Sequence, residues 1–336
     1  MGPLAQTLIG QLPLKSALQD RSFLVTGTTG MIGGALVSFL RELTCLLPGL
    51  NLRITAQGRS EEKLSRLFSH SPDLDLLVCD VADLGACDKR FDFLVHCAAP
   101  TDSRFYVEHP VETIQAIVSG TQAILELART GQARSVVVLS SMEVYGSPLT
   151  EEPLTEEMQG YIDPLALRSS YPQAKRLAET LCAAYAGRYA VPVKIVRLGQ
   201  VIGHELQADD KRLIAQMIHA VQSGDDIKLA SDGMSKQTYL GIDDALSALL
   251  FVLLKGENGK AYNAANEETY CSIRELAELV ATLAPEKGIK VQVAQQPDAS
   301  QYPPTRALRL ASDALRALGW EPTQSLRPLL TALIAD

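Results

Sequence analysis

The chain has 336 residues, of which 46% are hydrophobic and 21% are charged, as in globular proteins with one large or two medium-sized domains. Its formal net charge of −8 argues against the basic surface with which proteins bind nucleic acid or anionic membranes. No apolar run is long enough to cross a bilayer, and the N-terminal residues do not resemble a signal peptide. We therefore expect a cytoplasmic protein with neither a nucleic-acid nor a membrane partner.

Residues 1–20 are interpreted as a short helix that caps a sheet. Apolar runs typical of strands buried on both faces then alternate with helical patterns at residues 31–47, 105–130 and 172–190. This alternation predicts an α/β fold with a doubly wound parallel sheet over residues 21–199. The predicted strands are Phe23–Thr26, Leu52–Ala56, Asp75–Cys79, Phe91–His96, Ser135–Ser140 and Val193–Leu198.

The pattern changes after residue 199. Helical patterns at residues 209–223, 242–255, 272–284 and 325–334 are separated by short strands and turns, and the proline-rich Gln301–Thr305 is predicted to be a loop. Residues 200–336 are therefore predicted to form mainly a smaller C-terminal α/β lobe that binds the substrate.

The sequence TGTTGMIG directly follows the first predicted strand and opens the first long helix. Glycines at this spacing permit a tight turn, close approach of the backbone to a pyrophosphate, and close packing of helix against strand. The N-terminus of the helix then presents free N–H groups to the phosphates. This arrangement predicts a Rossmann-type dinucleotide site, formed by Gly27, Thr29, Gly30, Met31, Ile32 and Gly33.

Further cofactor contacts are expected at the C-terminal ends of the next strands. Asp80 and Val81 follow the third strand, where a carboxylate can accept a hydrogen bond from an adenine amino group. Arg59 follows the second strand, which has no acidic residue for a ribose 2′-hydroxyl. It can contact the 2′-phosphate of NADP, stack on adenine, or lie in solvent, so the choice between NAD and NADP stays open. The small residues after the fourth strand leave room for the cofactor: Cys97, Ala98 and Ala99.

Four side chains are candidates for catalysis. Tyr171 and Lys175 are four residues apart at the start of a helix, so they share one face, and a lysine cation favours ionisation of the phenol. Ser141 and Glu143 follow the fifth strand at the same edge of the sheet. Glu143 is either an acid or base for a proton next to a ketone, or a salt-bridged loop residue.

The motifs TGTTGMIG, HCAAP, SSMEVYG, YPQAK and LGWEP together resemble the extended short-chain dehydrogenase/reductases of the NAD-dependent epimerase/dehydratase family. The stretch DPLALRSSYPQAKRLAETLCAAY is most similar to the UDP-glucuronate decarboxylase group. The resemblance implies NAD as the cofactor, a nucleotide sugar as the substrate, and a transient keto sugar. It also implies that Tyr171 is the base, that Ser141 and Lys175 assist it, and that Glu143 is an auxiliary acid or base.

The chain departs from this family's pattern at several positions. Met142 stands where decarboxylases typically have serine and 4,6-dehydratases have aspartate, and a thioether cannot transfer a proton. Gln200 replaces an asparagine, Gln237 replaces an arginine, and Ile117 replaces the usual asparagine of the fourth helix. By resemblance, we expect substrate contacts from Thr101, Ser140, Met142, Gln200, Arg212, Gln237 and Arg309.

Three functions are compatible with these residues. The first is an epimerase, dehydratase or decarboxylase of nucleotide sugars, which Glu143 and Arg212 favour. The second is an NADPH-dependent carbonyl or alcohol oxidoreductase of the dihydroflavonol-reductase kind. It is favoured by Arg59 and by Gln200 and Gln237, which alter the site where the family binds the substrate diphosphate. The third is a non-catalytic cofactor sensor, although such proteins often lack the tyrosine or the lysine.

Assembly, thiol chemistry and metal binding give three further expectations. The family resemblance implies a homodimer built from the helices at residues 105–130 and 171–189. Small residues of the second helix either permit close approach of the partner or face the chain's own sheet: Ala183, Ala184, Ala186 and Gly187. The five histidines show no metal-binding spacing, so no metal is expected. The cysteines lack a CxxC pair and are expected to be reduced: Cys45, Cys79, Cys87, Cys97, Cys182 and Cys271.

Overall fold

The computed structural model describes residues 3–68, 74–204, 206, 210, 212–293 and 305–335. Within these residues the strands are, in chain order, β1 Ser22–Thr26, β2 Arg53–Gly58, β3 Leu74–Val78, β4 Phe93–His96, β5 Ser135–Ser141, β6 Val193–Leu198, β7 Gln200–Ile202, β8 Ile227–Leu229, β9 Lys236–Gly241, β10 Ala261–Ala264, β11 Asn266–Ser272, β12 Val291–Val293 and β13 Ala307–Leu308.

The α-helices of the same residues are α1 Pro3–Gln11, α2 Leu14–Leu18, α3 Met31–Leu46, α4 Glu61–Leu67, α5 Ser103–Glu108, α6 Pro110–Gly131, α7 Ser170–Tyr189, α8 Leu213–Ser223, α9 Ile242–Lys255, α10 Ile273–Thr282, α11 Asp313–Arg316 and α12 Leu326–Ala335. Short 3₁₀ helices span Val81–Ala86, Met142–Tyr145, Leu167–Ser169 and Pro285–Lys287. None of the described helices is long and apolar enough to span a membrane.

Seven parallel strands form the central sheet in the order β10-β6-β5-β4-β1-β2-β3. Alternate residues of each strand face opposite sides of the sheet. Phe23 and Val25 of β1 thus pack in one core with α3 and α9, whereas Leu24 packs in a second core with α6. Helices therefore cover both faces, and the predicted α/β fold with a Rossmann-type doubly wound sheet is confirmed.

The helix predicted at residues 105–130 is two helices. α5 ends at Glu108 and α6 begins at Pro110, with His109 in a non-helical conformation between them (φ −132°). A proline has no N–H to donate to the preceding turn, and it disfavours the helical conformation of the residue before it. The first position of a helix is where proline is tolerated, so α6 begins there.

The C-terminal part of the chain divides between two bodies. α8, α10 and α12 enclose a separate core with β8 and β9. β10 instead pairs with β6 at the edge of the central sheet, and the almost wholly buried α9 packs against that sheet. β10 covers an edge whose backbone groups would otherwise lack partners. β10 and α9 therefore belong with the central sheet, and a substrate-binding lobe formed mainly by residues 200–336 stays a prediction.

The ends of the chain carry two more expectations. The capping helix predicted at residues 1–20 consists of α1 and α2, and Leu8 and Leu14 of these helices are fully or almost fully buried in the core that contains α3 and α9. The loop predicted at Gln301–Thr305 lies, apart from Thr305, outside the described residues.

Candidate active site

The glycine turn between β1 and α3 is folded too tightly to admit larger side chains. Gly27 has a positive φ of +68°, and a Cβ at this position would lie 2.7 Å from Cα of Ala98. A Cβ on Gly33 would lie 2.6 Å from the carbonyl oxygen of Gly27. Gly30 precedes α3 without a side-chain cap. The first N–H groups of α3 therefore point out of the turn, where an anion can accept their hydrogen bonds.

Gln57, at the end of β2, fixes this turn to the neighbouring strands. Its Oε1 accepts a hydrogen bond from the backbone N–H of Gly27 at 3.1 Å, and its Nε2 donates to the carbonyl of Cys79 at 2.8 Å. The side chain is almost completely buried. One amide thus joins the C-terminal ends of β1, β2 and β3 beside the predicted phosphate site.

His96, at the end of β4, is joined to the glycine turn through Thr26. Its Nδ1 shares a hydrogen bond of 2.8 Å with Oγ1 of Thr26, and Oγ1 also accepts from the backbone N–H of Ala98 at 3.4 Å. Burial, with the charge of Lys175, lowers the pKa of His96 to about 3, so the imidazole is neutral near pH 7.

Tyr171 and Lys175 lie in the first two turns of α7 and are both buried. The ring of Tyr171 stacks on that of Tyr106, with centroids 4.3 Å apart and planes inclined by 11°. Lys175 Nζ donates to the carbonyl of Leu139 at 2.8 Å and lies 5.9 Å from the centroid of the Tyr171 ring. Burial raises the pKa of Tyr171 to about 12, and the nearby hydroxyl of Ser141 opposes this rise. Burial lowers the pKa of Lys175 to about 8.

Glu143 lies between two arginines. Arg168 Nη2 donates to Glu143 Oε1 at 3.2 Å, and Arg306 donates from Nη1 to Oε2 at 3.1 Å and from Nη2 to Oε1 at 2.6 Å. Burial alone would raise the pKa of Glu143, but the charges and hydrogen bonds of Arg306 and Arg168 outweigh it and hold that pKa below its usual value. Glu143 is therefore a carboxylate at neutral pH.

Comparison with known proteins places the chain in a family. The model of the NAD dependent epimerase/dehydratase family matches residues 23–265, which is well over half of the chain. The chain belongs to this family. Its resemblance to the extended short-chain dehydrogenase/reductases is thereby confirmed.

Individual relatives agree with this assignment. UDP-glucuronic acid decarboxylase 6 of Arabidopsis thaliana is 30% identical over 96% of this chain and 93% of its own length. UDP-glucuronic acid decarboxylase 1 of Danio rerio is 28% identical over 94% of this chain and 72% of its own length.

Solved structures show the same fold at lower identity. A UDP-glucose 4-epimerase of Thermotoga maritima has a TM-score of 0.80 at 19% identity, over 94% of this chain and 97% of its own. A dTDP-glucose 4,6-dehydratase of Streptomyces venezuelae, solved with NAD, has a TM-score of 0.78 at 22% identity, over 94% and 96% of the two chains. As a member of the NAD dependent epimerase/dehydratase family, this chain is an enzyme that uses NAD.

The glycine turn of this epimerase/dehydratase fits the pyrophosphate of NAD. Gly27 and Gly33 leave no room for a side chain, which lets the backbone approach the phosphates, and the start of α3 supplies N–H donors. Asp80 Oδ1 accepts a hydrogen bond from the N–H of Ala82 at 2.9 Å, and Val81 is buried. Arg59 is exposed. The remaining predicted contacts lie partly exposed around the turn: Thr29, Met31, Ile32, Cys97, Ala98 and Ala99.

Two of the predicted substrate residues have partners within the chain. Ser140 is buried, and its Oγ donates at 2.6 Å to Glu179 of α7, the helix that also carries Tyr171. Met142 is buried in an apolar cluster with Leu154. Substrate contacts from Ser140 and Met142 stay predictions.

The other predicted substrate residues have varied surroundings. Arg212 pairs with Asp210 and places Nη1 3.0 Å from Sδ of Met31, beside the glycine turn. Arg309 stacks on Tyr270, with 5.7 Å from Cζ to the ring centroid. Gln237 donates to the hydroxyl of Tyr239 at 3.2 Å, Gln200 begins β7, and Thr101 is exposed in the loop before α5.

Four residues of the site escaped the sequence analysis. Gln57 carried a signal, because a polar side chain ended an apolar strand beside the glycine turn. Arg168 also carried a signal, because it stands three residues before Tyr171, and side chains at this spacing lie on the same side of a helix. Tyr106 and Arg306 carried none, because only the folded chain brings their segments to Tyr171 and Glu143.

Proposed function

We propose that this NAD-dependent enzyme acts on a nucleotide sugar and forms a transient keto sugar. The observation that carries the proposal is the meeting of Ser141, Tyr171 and Lys175 at the sheet edge that also holds the glycine turn. The UDP-glucuronic acid decarboxylases that resemble the chain along most of its length support the substrate class. When bound, NAD would supply the hydride acceptor for the oxidation of the sugar carbon and, in reduced form, the hydride donor for the later reduction.

Tyr171 is proposed as the base that takes the proton from a sugar hydroxyl. A buried phenol resists ionisation, so it needs cations and hydrogen-bond donors to stabilise the phenolate. Lys175 lies beside the ring, and the Ser141 hydroxyl can donate to the oxygen of either the phenolate or the substrate. These contacts support proton transfer at Tyr171 without a metal ion or a further base.

Glu143 is proposed to act in the second step as a base or as a fixed negative charge. An auxiliary acid must carry a proton at the working pH, and Arg168 and Arg306 hold Glu143 ionised. The arrangement thus favours accepting a proton over donating one. The two guanidinium groups also provide positive charge with which a substrate carboxylate can pair. Decarboxylation of UDP-glucuronic acid is therefore the first reaction to test.

The test combines cofactor identification with turnover. Native mass spectrometry of the purified protein, followed by denaturation, should release NAD, and incubation with UDP-glucuronic acid should produce CO₂ without net accumulation of NADH. Tyr171→Phe should abolish this turnover while leaving NAD affinity within about tenfold, because the phenol acts mainly in the transition state. Full activity of this variant would refute the proposed role of Tyr171.

A second candidate is an exchanging, NADPH-dependent carbonyl reductase. It is favoured by Gln57-Gly58-Arg59 at the end of β2, where no acidic side chain meets the ribose and Arg59 is exposed to solvent. In that case the purified protein should carry no cofactor, should bind NADPH in preference to NADH, and should consume it stoichiometrically with a ketone. Arg59→Ala should then weaken NADPH binding and leave NADH binding unchanged.

We also propose that the enzyme is a homodimer that pairs through α6 and α7. These helices expose large apolar side chains, including Ile114 with 42% and Leu177 with 46% of its surface accessible. Ala183, Ala184 and Gly187 of α7 are exposed, as close helix packing requires. Ala186, however, faces Gly259 of its own chain. A Cβ added to Gly259 would lie 3.4 Å from the Cβ of Ala186.

Sedimentation of two surface variants tests the assembly. Leu177→Glu should convert the dimer to a monomer, because a charge would be buried at the centre of the interface. Leu67→Glu is the matched control, because Leu67 is equally exposed (45%) but lies on α4. A monomeric wild-type protein would refute the proposal.

A further inference from the structure

Arg168 lies at the start of the helix that carries Tyr171. It belongs to the 3₁₀ helix Leu167–Ser169, which continues directly into α7 at Ser170. Its Cζ lies 5.0 Å from the centroid of the Tyr106 ring, and its Nη2 donates to Glu143 at 3.2 Å. The guanidinium is thus held between an aromatic face and a carboxylate, with 21% of the side chain exposed.

Tyr106 connects this cation to the proposed base. The ring of Tyr106 is buried and stacks almost parallel on that of Tyr171, while its hydroxyl donates to the carbonyl of Pro100 at 3.4 Å. A planar guanidinium over a tyrosine face is attractive, and it restricts the tilt of that ring. Arg168 and Tyr171 thus both contact the ring of Tyr106.

We propose that Arg168 is a positioning residue for proton transfer at Tyr171. It fixes the Tyr106–Tyr171 stack and stabilises the phenolate through its charge, and Glu143 limits that stabilisation by pairing with the same guanidinium. This inference rests on the proposed function in one respect, namely that Tyr171 transfers the proton.

The charged and titratable groups around Tyr171 agree with this division of roles. Glu143, which follows β5, raises the pKa of Tyr171, whereas Arg168 lowers it, as do the hydroxyls of Ser141 and Tyr106. The same two charges act in the same directions on the pKa of Tyr106. Arg306 pairs with the carboxylate of Glu143 in the same arrangement.

Lys175 is the other cation beside the phenol, but it differs from Arg168 in one respect. Burial lowers the pKa of Lys175 to about 8, so its charge is lost progressively above that pH. Arginine side chains keep their charge throughout that range. The stabilisation of the phenolate that persists at alkaline pH is therefore expected from Arg168.

A tyrosine titration tests the proposal without any substrate. The protein is labelled with tyrosine carrying ¹³C at the ζ position, saturated with NAD, and followed by NMR as the pH rises; the signal missing from Tyr171→Phe assigns the residue. Arg168→Met should raise the midpoint of Tyr171 by about one pH unit or more. Glu143→Gln should lower it, and the double variant should return it towards the wild-type value.

Two further variants separate charge from structure. Arg168→Lys keeps the charge and should restore part of the shift; it also serves if Arg168→Met does not fold. Arg129→Met is the matched control, because Arg129 pairs with Glu126 and lies 5.5 Å from the Tyr189 ring, away from the site. An unchanged Tyr171 midpoint in both Arg168 variants, or a midpoint raised by Glu143→Gln, would overturn the proposal. Failure to turn over UDP-glucuronic acid would instead contradict the proposed function and leave the role of Arg168 unaffected.

Discussion

Arg306 and Glu143 come from different lobes, and the guanidinium of Arg306 donates two hydrogen bonds to the carboxylate of Glu143, at 3.1 and 2.6 Å. Arg306 precedes β13, which pairs with β9 in the C-terminal lobe, whereas Glu143 follows β5 of the central sheet. Both side chains are largely buried, with 12% and 14% exposed. The position of the C-terminal lobe is thus coupled to the charge of a proposed active-site carboxylate.

Removing this guanidinium should impair turnover. Arg306→Met leaves the buried Glu143 with Arg168 alone, which should raise the pKa of Glu143 and loosen the contact between the lobes. We expect kcat/KM for UDP-glucuronic acid to fall by about 10- to 100-fold.

Arg274→Met is the control for this prediction, because Arg274 also lies in the C-terminal part of the chain but pairs with Glu278 on the exposed face of α10. Equal losses in the two variants would show that the loss of turnover does not depend on the pair of Arg306 with Glu143.

The glycine turn predicts a loss of cofactor. Gly33→Ala places a Cβ 2.6 Å from the carbonyl oxygen of Gly27, which forces the turn and α3 apart. We expect NAD affinity, measured by calorimetry, to fall by about 100-fold or more, since the backbone then no longer cradles the pyrophosphate. Gly10→Ala in α1 is the control, because a Cβ there meets nothing within 4 Å. It should leave NAD binding unchanged and stabilise α1 slightly.

Particular residues show which parts of the site can be predicted from the sequence. The turn from Gly27 to Gly33 and the pair Tyr171–Lys175 were predictable, because their chemistry depends on spacings of a few residues. The pair of Glu143 and Arg306 was not, because 163 residues separate its members and no local pattern records their contact.

The strand at the edge of the central sheet illustrates the same limit. Ala261–Ala264 is short, and its apolar residues resemble those of any strand of the C-terminal lobe. Its pairing with β6 is decided by which sheet edge is open in the folded chain. Such a choice depends on tertiary structure, so the sequence alone could not assign this strand to the central sheet.

Burial of Lys175 predicts a pH-dependent stability difference. Its folded pKa of about 8 lies below the ordinary 10.5, so the charged form is disfavoured in the fold by about 3 kcal/mol. This cost is complete below pH 8, decreases as the pH rises from 8 to 10.5, and is absent above. Lys175→Met also loses the hydrogen bond to Leu139, about 1 kcal/mol.

Urea unfolding of the cofactor-free protein measures this balance. Lys175→Met should be about 2 kcal/mol more stable than the wild type at pH 7, and the difference should reverse to about 1 kcal/mol less stable above pH 10.5, where only the lost hydrogen bond remains. A variant that is less stable at pH 7, or a difference that does not change with pH, would mean that burying the charge of Lys175 lowers the free energy of unfolding very little.

The last prediction concerns the ion pair beneath the site. Arg197 Nη2 donates to Glu179 at 2.7 Å, both side chains are only 13% exposed, and Ser140 donates to the same carboxylate. Glu179→Gln leaves the buried arginine without a counter-charge, which should cost about 3 kcal/mol of unfolding free energy. Glu278→Gln breaks the exposed pair with Arg274, where both side chains are more than half accessible, and should cost less than about 0.5 kcal/mol. Urea unfolding at pH 7 compares the two variants. Similar small losses would mean that water screens Glu179 and Arg197 as it screens the surface pair.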